Sequence, residues 1–193
     1  MSKIKSAVEL AMEKTGDIVI DKDVLRKDSL KKEGKILASR YLKKEMTDLK
    51  GTLKGAKPDD RPFLAEGITD IILANLRLPQ KVGDLEFLPF LEQALLETGL
   101  EKRPVQEIFR QISIIFQQYL QSIEQMTGML KKQYEPQLRA KEQKLMQQTG
   151  QVVKLEAERD PEFNRLLAER LGALDEQYRQ VLTQAREEIK KAL

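Results

Sequence analysis

Between residues 108 and 130 the apolar positions Ile108, Ile112, Ile115, Tyr119, Ile123, Met126 and Leu130 recur at steps of four and three. Only an α-helix places such positions on one face, and a stripe this long commits that segment to a single amphipathic helix. The other face is filled by glutamine, with 11 between 111 and 151, a good helix former that carries no charge. Pro136 interrupts the pattern. A proline inside a helix removes one backbone hydrogen bond and clashes with the carbonyl four residues back, so a kink or restart is predicted between about 131 and 137.

A second long helix begins at Asp160-Pro161, an N-cap aspartate followed by proline at the first helical position. Phe163, Leu167, Leu171, Leu174, Tyr178, Val181, Ala185, Ile189 and Ala192 continue it to the C-terminus. The two long helices suit an antiparallel, coiled-coil-like hairpin over residues 104–193. Thr149-Gly150 ends the first arm, and residues 151–160 read equally as an extended connection or as more helix.

Residues 1–103 read as a bundle of shorter helices. Ile4, Val8, Ala11 and Met12 mark the first; Leu25, Leu30, Ile36, Leu37, Tyr41, Leu42, Met46, Leu49 and Leu53 make an imperfect stripe along a second that Asp21 or Asp23 can cap. GTLKGAKPDDRP must then be a loop. A third helix starts at Asp59 or Asp60 and ends near Leu78-Pro79, and a fourth, from Asp84, carries Pro89 in its first turns and is closed by Gly99. The expected fold is therefore all-α, in two parts that meet at residue 103.

Composition excludes several chemistries. The chain has no cysteine and no histidine, which removes thiolate nucleophiles, serine-histidine and cysteine-histidine systems, sulfur-ligated metals and the HExxH zinc site. The stretch Gly51 to Lys57 lacks the glycine spacing and Lys-Ser/Thr ending of a phosphate loop. A calcium loop counted from Asp21 has Arg26 where the turn needs glycine and Lys32 where the ion needs glutamate. Glu107, Glu124, Glu142, Glu169, Glu176 and Glu187 fall mostly off the apolar stripes and read as solvated, so no carboxylate metal bundle is expected. The reading is a non-enzyme without cofactor or metal.

Charge alone recruits no partner, since 34 basic side chains stand against 31 acidic ones. The first 61 residues are mildly basic, and Lys31, Lys32, Lys35, Lys43 and Lys44 could follow a nucleic-acid backbone. Eight acidic residues between 21 and 60 interrupt that run and Tyr41 is its one aromatic, so nucleic acid is the alternative partner. Helix-on-helix docking with a protein partner, a second copy included, is the first reading, through apolar hairpin positions such as Ile114, Phe116, Met129 and Leu182. Acidic residues break up the N-terminal apolar pattern and no window can span a bilayer, so a soluble, cytoplasmic chain without a cleavable signal is expected.

The segments IKSAVELAMEKTGD, EGKILASRYL, ILANLRLPQ and IFQQYL resemble a family of small bacterial helical proteins, a domain of unknown function. The resemblance implies a bacterial cytoplasmic protein and supplies no activity for any residue.

Overall fold

The computed structural model describes residues 22–191. The expected helix at 3–14, Asp21, the first of the resembling segments and Ala192 lie outside them. Among the described residues there are six α-helices, two short 3-10 helices and no strand. The fold is all-α.

Two compact units divide the chain, one through Ile71 and one from Ile72. In the first, α1 spans Lys22–Leu42, α2 spans Leu49–Gly55 and α3 begins at Arg61, running on to Asn75. The single helix expected from Asp21 or Asp23 past Leu49 is therefore two helices. Asp48 accounts for the break: its Oδ1 accepts from the Gly51 amide at 2.7 Å, an N-cap that starts α2 afresh, while Lys44 turns the chain at φ 61°. Arg61 closes the other end of α2, donating from Nε to the Ala56 carbonyl at 3.0 Å and from Nη2 to that of Lys54 at 2.6 Å.

The buried face of α1 also differs from the expected stripe. Leu25 and Ile36 are exposed, whereas Gly34, Ala38 and Tyr41 are buried. The face is small because another backbone lies on it. A methyl group on Gly34 would stand 2.2 Å from the Leu64 carbonyl oxygen, and one on Gly67 would stand 2.1 Å from that of Lys31. Along this glycine contact α1 and α3 rise together: Arg26 meets Asp60 at 2.5 Å, Lys27 lies over the Phe63 ring, Lys31 meets Glu66 at 2.7 Å and Lys35 meets Asp70 at 3.2 Å. The two helices are parallel.

The second unit takes up the end of α3, a 3-10 helix at Val82–Phe87, α4 at Leu88–Glu97, α5 at Lys102–Thr149 and α6 at Pro161–Lys191. Its core collects Leu76, Leu91, Leu95, Val105, Phe109, Ile112 and Phe116, all buried. Asp84 accepts from the amides of Gln80 and Lys81 at 2.8 and 3.2 Å and so nucleates the turn into the 3-10 helix. Pro89 sits in the first turn of α4, where its missing N–H costs nothing.

Helix α5 is unbroken over 48 residues, with Pro136 inside it. The predicted restart does not occur. Two residues before the proline, Tyr134 is buried and its ring meets that of Phe163, at 5.4 Å between centroids, so this stretch of α5 is packed against α6. Gly150, at φ 69°, ends the helix in the left-handed conformation, its amide returning to Met146 at 2.8 Å. Extended chain and a 3-10 turn at Ala157–Arg159 then connect α5 to α6, the first of the two readings for that segment.

Candidate functional site

The α5–α6 hairpin is fastened at two levels. Toward its open end the Tyr119 hydroxyl donates to Asp175 at 2.5 Å, its ring packs on Tyr178 at 5.1 Å, and Ser122 lies 3.4 Å from the Tyr178 hydroxyl. Toward the turn the Tyr134 ring packs at a tilt against Phe163 and its hydroxyl donates to Glu162 at 3.2 Å. Rising numbers on α5 meet falling numbers on α6, so the arms are antiparallel.

Near the turn Lys141 gathers three groups. Its ammonium donates to Asp160 at 2.6 Å, to Glu162 at 3.1 Å and to the Tyr134 hydroxyl at 2.8 Å. Asp160, and after it Tyr134 and Glu162, hold the lysine pKa above its usual range; Lys141 in turn holds the Asp160 carboxyl below its own. Asp160 also accepts from the Glu162 amide at 2.9 Å, which makes it the N-cap of α6. The Leu155 amide donates to Glu142 at 2.7 Å, and Lys131 pairs with Glu158. The connection is thus tied back along α5 and has a defined shape.

That shape leaves apolar side chains outside. Val152 is 85% exposed, and with Val153 and Met146 it borders a groove of about 230 Å³ whose other walls are Arg139, Glu142 and Gln143. Sequence reading missed this groove, because two valines just past a helix-ending glycine read as connection and not as surface.

Of the four hairpin positions singled out from sequence, Ile114 is 46% exposed and Met129 is 59% exposed. Phe116, at 2%, and Leu182, at 4%, are buried and present no exposed face to a protein partner. The register of α6 explains Leu182: the buried position is one residue beyond Val181, which is itself exposed. Among the lysines, Lys31 and Lys35 are occupied by Glu66 and Asp70, and Glu66 holds the Lys31 ammonium above the usual range. Lys32, Lys43 and Lys44 are exposed.

Tyr119 gives the hairpin a pH signature. Burial, and then its bond to Asp175, push the phenol up to about 12 from an ordinary value of 10.0. A raised folded-state pKa means that this contribution to stability is complete below pH 10 and drains away as pH rises toward 12. Denaturant midpoints should therefore fall more steeply between those limits for the native protein than for Tyr119→Phe; parallel declines would contradict the assignment.

The chain belongs to a family of unknown function, DUF6657, whose model matches residues 50–191. That span runs from the second residue of α2 to the end of α6 and excludes the lysine-bearing α1. No curated protein and no solved structure matches the chain. No helix among the described residues is long and apolar enough to cross a membrane.

Proposed function

We propose that this DUF6657 protein is a non-catalytic interaction module, an adaptor or assembly factor, that docks an amphipathic helix of a protein partner on the turn end of its hairpin. The interacting part is the hairpin, residues 104–193, and the setting that the sequence resemblance implies is a bacterial cytoplasm. One observation carries the reading: Met146, Val152 and Val153 are held out around a groove by a turn whose backbone is tied down. Apolar groups on a fixed scaffold cost little ordering entropy when a partner covers them. Arg139 and Glu142 at the rim supply both charge signs, which suits register and selectivity more than bulk attraction.

The nucleic-acid alternative through Lys31, Lys32, Lys35, Lys43 and Lys44 is the weaker reading, because Lys31 and Lys35 already have carboxylate partners.

The test compares the native chain with Met146→Glu/Val152→Glu/Val153→Glu in retention of cellular proteins at low and high salt, with light scattering to detect self-association. Retention of a defined protein, or a dimer, that survives high salt and is lost in the triple variant is the expected result. Undiminished retention by the triple variant would overturn the proposal, as would salt-sensitive retention of nucleic acid by the native chain that Lys32→Glu/Lys43→Glu/Lys44→Glu loses.

A further inference from the structure

A second cavity, of about 390 Å³, lies within the second unit between the chain following α3 and the facing sides of α5 and α6. Its charged lining is unbalanced. Arg77, Arg179 and Arg186 face it with Asp175 as the one carboxylate, which leaves two positive charges in excess. Asp175 is already engaged, accepting from Tyr119 at 2.5 Å and pairing with Arg179 at 3.7 Å.

The other two arginines have no such partner among the described residues. Arg77 reaches only the Asn75 side-chain oxygen, at 3.4 Å. Arg186 donates from Nη2 to the Leu76 carbonyl, and its Nε is buried without an acceptor. A guanidinium presents its donors as a planar fork that matches an oxyanion, and two of them beside one cavity, with its carboxylate engaged elsewhere, favour the entry of an anion. Burial, and then the like charge of Arg77, lower the Arg186 pKa, a second sign of an uncompensated site. Leu182 and the Tyr119 ring add an apolar wall, and the volume lies toward the small end of ligand pockets, roughly 300–1,000 Å³.

We infer that this cavity binds a small organic dianion, with its two negative charges between Arg77 and Arg186 and its carbon body toward Leu182 and Tyr119. A phosphate monoester and a dicarboxylate share that chemistry. This site is separate from the groove at the hairpin turn.

The experiment is titration calorimetry at low ionic strength near neutral pH, with phenyl phosphate and phthalate as probes and phenol as the neutral control. One molecule of phenyl phosphate or phthalate should bind per chain and raise the melting temperature, and phenol should do neither. The tighter probe identifies the oxyanion. Arg77 is exposed, so Arg77→Gln should fold normally and weaken binding about tenfold or more, and Arg77→Glu should abolish it. Met146→Glu/Val152→Glu/Val153→Glu should bind the probe unchanged, so this inference and the docking proposal can fail separately. No saturable binding of either dianion, binding of phenol as tight as that of phenyl phosphate, or full binding by Arg77→Glu would each overturn the inference.

Discussion

Replacing Gly34 with alanine should destabilise the protein by about 1–3 kcal/mol, the range for forcing extra volume into a well-packed contact. Ordinary helix propensity predicts the opposite sign, since alanine is favoured over glycine inside a helix by about 1 kcal/mol. The geometry decides between them. The new methyl would meet the Leu64 carbonyl oxygen at 2.2 Å and carbon at 3.0 Å, and the Gly67 Cα at 3.2 Å. All three are backbone atoms, so no side chain can swing aside, and α1 must move away from α3. Gly67→Ala should behave alike, because its methyl would meet the backbone of Lys31 at 2.1 to 3.0 Å. Once the helices have parted for one methyl, the second costs less, so the double variant should lose less than the two single losses added together. Gly128, with nothing near its missing side chain, is the control: Gly128→Ala should be neutral or stabilising by up to about 1 kcal/mol. Urea denaturation of the four variants measures all of this, and a stabilised Gly34→Ala would mean that the helices do not approach as described.

The range of the forces involved separates what the sequence disclosed from what it hid. The Ile108–Leu130 pattern announces a helix because a 3.6-residue period needs no knowledge of the partner, and Asp160-Pro161 announces the start of α6 because capping is local. Burial on that first helix depends on what lies opposite. Up to Tyr119 its buried positions are Val105, Phe109, Ile112, Phe116 and Tyr119, whereas Ile123, Met126 and Leu130 beyond are only half-buried, with α6 as their cover. The expectation that Phe116 and Leu182 face a partner failed for this reason: each lies at the edge of its stripe, and the third element that covers it is distant in sequence. The glycine face of α1 was illegible in another way. Its signal is the absence of side chains, and an apolar stripe that includes Leu25 and Ile36 drew attention to the wrong side of the helix. The arginine-lined cavity was hidden by distance as well, since Arg77 and Arg186 are 109 positions apart and nothing local connects them.

Pro136→Ala should stabilise the protein by about 2 kcal/mol. A proline in a helix interior costs about 3 kcal/mol through the missing hydrogen bond and the clash with the carbonyl of Lys132, and α5 carries that cost by continuing through the site. Alanine recovers the bond, but it also frees the unfolded chain, which returns up to about 1 kcal/mol of the gain. The remainder stays positive only if the local course of α5 does not depend on the proline. Two residues earlier, Tyr134 must keep its ring on Phe163 and its hydroxyl within reach of Lys141 and Glu162. If the proline sets a bend that these contacts need, straightening the helix withdraws Tyr134 from Phe163, and burying an aromatic ring of that size is worth as much as the recovered bond. The sign of the change therefore separates two roles. A higher urea midpoint with Tyr134 still protected would make Pro136 a tolerated defect in a helix held by its partner. A lower midpoint would make the proline the element that aims the far half of α5 along α6, and with it the exposed groove at Met146, Val152 and Val153.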